Sequence, residues 1–186
     1  MITHALADGV VFGPLEPWRA EEFAAAVEQA RDHLRPWVPF ATKVVDVPSA
    51  RALLQRYADL RARDEGAMFG IWAEGLLCGG TLFRNFDTTI GVAEIGVWLD
   101  PAAEGRGLIQ TACRLMIDYA FRVRGLHRVE WWCDALNTRS RAAAQRLGMT
   151  HEGTTRSSYV VDGRRIDSEV WGVLATEWPP ASLPDA

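Results

Sequence analysis

At 186 residues and 48% hydrophobic, the chain is long enough to bury one sizeable core, and no break in composition marks a second, so a single domain spanning 1–186 is expected. A net charge of −4 leaves no electrostatic footprint for nucleic acid or an anionic membrane, and is compatible with a cationic amine as substrate. Residues Met1 to Gly9 lack the basic-then-apolar pattern of a secretion signal, and no run approaches the roughly 18 apolar residues of a membrane span, so a cytoplasmic protein is expected. Cys78, Cys113 and Cys133 are odd in number and sit inside apolar segments, which fits buried reduced thiols rather than a disulfide framework or a nucleophile.

In chain order, Val10 to Leu15 reads as a strand and Glu21 to Leu34 as a helix with Phe23, Val27, Ala30 and Leu34 on one face. The prolines of Arg35-Pro36-Trp37-Val38-Pro39-Phe40 predict an extended, stiff loop whose Trp37 and Phe40 line a pocket or cover the core. A second helix starts at Asp46 or Ser49 and runs to about Asp64. Met68 to Ala73 and Leu76 to Arg84 form a hairpin about Glu74-Gly75, and Gly79-Gly80 mark a bulge or a close backbone approach.

The segment from Glu94 to Phe121 is the most informative. Glu94 to Leu99 is a strand stopped by Asp100-Pro101. From about Gly107, Ile109, Ala112, Cys113, Met116, Ile117, Ala120 and Phe121 follow a helical apolar spacing. Between the two lies Glu104-Gly105-Arg106-Gly107-Leu108-Ile109. Its glycines permit close backbone approach, and a helix start with free N–H groups attracts phosphate, although a lone G-x-G also suits a plain turn. Arg128 to Asp134 is the next strand, completing a right-handed parallel crossover, with Trp131 and Trp132 on opposite faces and expected in core packing. Asn137 caps a helix over Thr138 to Leu147, with Ser140 at its third position. Met149 to Tyr159 and Arg164 to Val173 pair across Val161-Asp162-Gly163-Arg164, and the tail from Pro179 is expected to be loosely held.

The block EIGVWLDPAAEGRGLIQTA, with Asn137-Thr138-Arg139-Ser140 and the run Arg146 to Gly153 after it, resembles the RimJ/RimL-type group of the GNAT superfamily of N-acetyltransferases, over roughly Gly9 to Glu177. The resemblance implies an α/β (α+β) GNAT fold: a mixed, mostly antiparallel central sheet flanked by helices, its fourth and fifth strands parallel and splayed. It implies acetyl-CoA as cosubstrate and no metal. In the family, Q/R-x-x-G-x-G/A holds the pyrophosphate on backbone amides, which corresponds here to Glu104, Gly105, Arg106, Gly107, Leu108, Ile109 and Gln110. Glu104 and Ile109 depart from that pattern, and Glu104 is expected to point outward. Val97, Trp98 and Leu99 correspond to the strand whose backbone meets the pantetheine arm, and Asn137 to a residue touching it.

Amide formation needs a neutral amine, yet an N-terminal amine has a pKa of about 7.7 to 8 and a lysine about 10.4, so a base helps. Strand alternation places Glu94 beside the small Gly96, and the resemblance gives Glu94 the role of base acting through water. A thioester carbonyl gains negative charge on attack, which the amides of Val97 to Leu99 suit, and Ser140 is the candidate to protonate the leaving thiolate unless it and Asn137 serve only as a cap. Trp37 and Phe40 fall where the family shapes its acceptor site, and a stiff aromatic wall suits a flat acceptor better than a polyamine.

His4, His33, His127 and His151 lack metal-ligand spacing, and no Walker loop or nucleophile elbow is present. The leading expectation is N-acetyl transfer to a small molecule: an amino acid, an antibiotic or an aminoacyl-nucleotide. Acetylation of a peptide or protein N-terminus is the alternative, and a non-catalytic acyl-CoA-binding module is the third reading. A homodimer is compatible with all three.

Overall fold

The computed structural model describes residues 3–161 and 163–179. The strands form one open sheet in the order β1-β2-β3-β4-β5-β6-β8-β7, where β1 is His4–Ala7, β2 Val10–Pro14, β3 Ala67–Ala73, β4 Leu76–Asp87, β5 Val92–Leu99, β6 Arg128–Asp134, β7 Thr150–Val161 and β8 Arg164–Leu174. Every neighbouring pair is antiparallel except β5 and β6. Strand β1 goes beyond the sequence expectation, because four residues without an apolar alternation carry little signal and are ordered by pairing to β2. The turn residue Asp162 and the tail after Pro179 lie outside the described residues.

Helices cover both faces and divide the core in two. Helix α4, Leu108–Asp118, buries Ala112, Cys113, Met116 and Ile117 against one face, where Ile95, Val129 and Trp131 meet it. On the other face, α1 (Ala20–Gln29) and α3 (Val47–Ala62) enclose Phe23, Val27, Leu54, Leu82 and Trp98. The apolar spacing of α4 runs on to Phe121 as expected, but its last turn, Tyr119–Val123, widens to a π-helical turn before Gly125 ends it in a left-handed conformation. Helix α3 starts at a reciprocal cap: Asp46 Oδ1 accepts the Ser49 N–H at 2.8 Å, and Ser49 Oγ accepts the Asp46 N–H at 3.0 Å.

The expected helix from Glu21 to Leu34 is broken at Ala30, and Arg31–Leu34 forms a separate short helix, α2. Arg31 holds this bend, its guanidinium meeting the carbonyls of Ala41 and Val44. Apolar periodicity does not register such a bend, since it changes the direction of the chain and not the spacing of its apolar residues. Beyond it the proline segment is not simply extended. The Trp37 N–H bonds Leu34 O at 2.9 Å, and Pro39–Thr42 is a tight helical turn opened by Pro39, whose missing N–H costs nothing at a first position.

Gly80 is a close approach, as expected. A Cβ there would collide with the carbonyl of Phe69 and lie 2.6 Å from Trp98 Nε1, so only hydrogen lets the Trp98 ring lie across β4. Gly80→Ala should therefore destabilise the fold by about 1 to 3 kcal/mol, the usual cost of forced overpacking. The measurement is the urea midpoint, and an unchanged midpoint would mean that β4 yields freely at this point.

Candidate active site

The parallel ladder between β5 and β6 is short. It runs from Val92↔Arg128 to Ile95↔Trp131 and stops, while β5 continues to Leu99 and stays paired on its other side to β4. Beyond Ile95 the two strands part, and a cavity opens on each side of the parting. One, of about 590 Å³, runs along Val97, Leu99, the glycine turn and the start of α5 (Thr138–Arg146). The other, of about 360 Å³, lies over Glu94, Gly96 and Trp132. Trp37, Val97, Asn137 and Ser140 border both, so the two meet where β5 leaves its neighbour.

The larger cavity is built for an anion. Asp100 anchors the chain leaving β5, accepting from Gln29 Nε2 at 2.7 Å and from the Ala102 N–H at 2.8 Å. Gly105 and Gly107 then take left-handed φ of 77° and 72°, and a Cβ at either would face open space. Helix α4 has no side-chain cap, so its first amides remain free beside the cavity. The side-chain amide nitrogen of Gln110, Nε2, in the first turn of α4, is buried without a hydrogen-bond partner among the described residues. A left-handed glycine pair and uncapped helix amides fit a diphosphate held by backbone N–H groups, with the unpartnered Gln110 side-chain amide as a further donor beside them.

Glu104 does not point away from this cavity. Its carboxylate meets His33 Nε2 at 3.1 Å and Arg139 Nε at 3.5 Å, linking α2, the turn and α5 across the cavity wall. It thus engages two groups that a phosphate would otherwise attract.

In the smaller cavity, Glu94 is largely buried and lies 3.3 Å from the Arg84 guanidinium. Burial raises its pKa above the ordinary carboxylate value, Arg84 pulls it back down, and Glu130 pushes it up again. Burial likewise raises the Tyr57 and Tyr159 phenols that share the cavity. Trp132 faces the cavity, donating its N–H to Glu130 Oε2 at 3.0 Å, while Trp131 is buried in the α4 core. Alternation separates the two tryptophans as expected, but only Trp131 is core.

At the junction, Asn137 Oδ1 accepts the Ser140 N–H at 3.1 Å, the cap that the sequence predicts. Ser140 Oγ accepts the Trp131 N–H at 2.9 Å and keeps its hydroxyl proton as a donor, which the neighbouring Cys133 thiol also draws on. Phe40 borders the smaller cavity while packing its ring against Phe23 and Trp98, at 5.7 and 6.1 Å between centroids. Among the described residues no metal-ligating group of three or more side chains is assembled.

A family model described as an acetyltransferase (GNAT) domain matches residues 14–150. The chain belongs to the GNAT acetyltransferase family. It is 32% identical over 183 residues, 96% of this chain and 98% of the other, to YdaF of Bacillus subtilis (strain 168), whose name provisionally assigns it ribosomal N-acetyltransferase activity. It is 30% identical over 122 residues, 66% of each chain, to the ribosomal-protein-serine acetyltransferase of Escherichia coli (strain K12). Its fold is also that of RimL, the ribosomal L7/L12 α-N-protein acetyltransferase, in complex with coenzyme A, with a TM-score of 0.86 at 21% identity over 92% of this chain and 97% of the other.

Within this GNAT domain, the segment expected to hold the cosubstrate borders the larger cavity from Val97 to Leu99 and from Glu104 to Gln110, apart from Arg106, which is exposed and outside the lining. Glu94 and Phe40 border only the smaller cavity. Sequence reasoning missed His33 and Arg146 in the first cavity, and Tyr57, Arg84 and Tyr159 in the second. Arg84 is the extra residue of an irregularity between Phe83↔Ile95 and Asn85↔Glu94, so no alternation rule placed it beside Glu94. Trp132 could have been found, because parallel pairing puts it on the face of Glu94.

Gly107→Val places a β-branched residue at a left-handed φ and a methyl group in the cavity, and should weaken CoA binding in calorimetry more than Ser140→Ala does. Glu104→Gln frees His33 and Arg139 for phosphate and should tighten CoA about two- to fivefold, the scale of a partly exposed ion pair. Unchanged affinity in Gly107→Val would move the site elsewhere, and weaker binding in Glu104→Gln would make the carboxylate a support for the site rather than a competitor.

Proposed function

We propose that this chain transfers the acetyl group of acetyl-CoA to the N-terminal amine of a polypeptide. The observation that carries the reading is the pair of cavities joined at the β5–β6 parting, one lined by free backbone N–H groups and the other by the half-buried carboxylate of Glu94. The relatives named for ribosomal proteins favour a polypeptide acceptor over the small molecule that the sequence ranked first.

The amides of Arg106 to Gln110 take the pyrophosphate, with Asn137 along the pantetheine arm. The thioester then lies at the junction, where the backbone N–H groups of Val97 and Leu99 point away from β4 and are not used by β6, so that one of them can hold the oxygen that becomes negative. The acceptor enters from the smaller cavity. Its nitrogen attacks the thioester carbon, its proton passes through water to Glu94, and the carbon–sulfur bond breaks. Ser140 donates a hydrogen bond to the departing thiolate, and the proton taken up by Glu94 returns through water to the thiol, so both side chains end the step as they began. Glu94 suits a base because burial lifts its pKa towards the working pH, while Arg84 keeps enough of it ionised to accept a proton.

Glu94→Gln should lower kcat on the order of 100-fold near neutral pH, with part of the loss recovered at high pH where the amine is already neutral. Arg84→Gln removes the cation that holds the Glu94 pKa down, so the acid limb of kcat/KM should move to higher pH. A limb that stays in place would assign it to another group.

Trp37 and Phe40 form the aromatic wall of the acceptor cavity. Because Trp37 borders both cavities, Trp37→Ala should raise the acceptor KM roughly tenfold, in line with about 1 to 3 kcal/mol for a stacked ring, and raise that for acetyl-CoA by less. Loss of stability with both constants unchanged would make Trp37 a core residue only.

A further inference from the structure

The charges around the acceptor cavity oppose those of the molecule. The whole chain carries a net charge of −4, yet this cavity is bordered by Lys43, Arg56 and Arg84 against only Glu94 and Asp134. The two carboxylates are already engaged. Asp134, buried, pairs with the Arg164 guanidinium and accepts the Leu136 N–H at 2.8 Å, and Glu94 faces Arg84. Among the described residues, Lys43 and Arg56 have no ion-pair partner, and both are exposed at the mouth. They come from two different elements, the turn after Pro39–Thr42 and the α3 face that also carries Leu53 and Tyr57, so the positive charge flanks the opening and is not one solvated helix face.

A cationic acceptor would meet this excess on its way to Glu94 and be repelled by it. An acceptor with an anionic group near its amine would be steered in, its amine reaching Glu94 while the anion stays at the rim. We propose that the acceptor amine is the N-terminus of a peptide with an acidic residue at its second or third position, held at the rim by Lys43 and Arg56. The chemistry selected is an amine with a nearby anion, which an aminoacyl-nucleotide also offers, and the experiment separates the two sources. The inference rests on the acetyltransferase reading above and specifies its acceptor.

The test measures thiol release from acetyl-CoA by the full-length chain with hexapeptides that share a first residue and carry Asp-Glu, Ser-Gln or Lys-Arg at positions two and three. A stable aminoacyl-sulfamate analogue of an aminoacyl-nucleotide forms a fourth arm. We expect kcat/KM for the acidic peptide at least tenfold above the neutral one, a further drop for the basic one, and an acidic-peptide advantage that shrinks as salt is raised from about 0.05 to 0.3 M. The double charge reversal Lys43→Glu with Arg56→Glu should invert the order of the acidic and basic peptides. Both side chains are exposed, and the wild-type peptide series stands without the variant.

Equal rates for the three peptides, or a preference for the basic one, overturn the proposal and leave the acetyltransferase reading intact. Preference for the sulfamate analogue over every peptide keeps the anion but overturns its peptide source. Absence of thiol release with any acceptor removes the acetyltransferase reading on which the proposal rests.

Discussion

The site depends on one interrupted ladder. Strands β5 and β6 are joined for four residue pairs and then part, although β5 remains paired on its far side to β4 and β6 on its far side to β8. Each strand is therefore held firmly by a partner that is not the other. Backbone N–H and C=O groups left without partners inside a protein are costly, so an edge opened at the centre of a sheet is a place for something to pair. In this chain the open edge lies between the glycine turn and the half-buried carboxylate of Glu94, which is why both cavities border Val97 and Ser140.

What keeps the parting open is packing on either face. Ile95 and Trp131 close the ladder inside the α4 core, and Trp98, one turn of the pleat further on, is buried on the opposite face with Phe23 and Phe40. Val97 faces the α4 side at the same height, so β5 is gripped from both faces just where β6 leaves it. Gly80 makes room for the indole of Trp98, and Asp100 ties the end of β5 to Gln29 of α1. Movement of any of these would tilt the strand that presents its backbone to both cavities.

The electrostatics divide along the same line. On the larger cavity, the attraction for an anion comes from backbone, left-handed glycines and an uncapped helix, together with the Arg146 side chain, while His33 and Arg139 are occupied by Glu104. On the smaller one, charge is carried by side chains, and burial sets the protonation of Glu94 against the pull of Arg84. Backbone donors are fixed by the fold and suit a constant group such as a diphosphate. Side chains on a turn and a helix face can differ without disturbing the sheet, which suits the variable half of the reaction.

The sequence by itself determined the elements whose signal is local. The apolar spacing of α4, the Asn137 cap, the Glu74-Gly75 hairpin and the glycine turn all follow from residues within a few positions of one another and are found where they are expected, and of the two starts open to α3, Asp46 and Ser49, the structure takes Asp46. The family resemblance supplied the parallel, splayed pair. Only the tertiary structure decided what depends on the direction of the chain and on register between distant strands. The bend at Ala30 brings His33 to Glu104, an irregularity in β4 brings Arg84 to Glu94, and the parallel register turns Trp132 towards the smaller cavity. Lys43 and Arg56, alike as solvated cations in the sequence, become one positive rim because α3 and the proline turn converge on the same opening. Such meetings are set by packing across tens of residues, and no period or spacing in the chain encodes them.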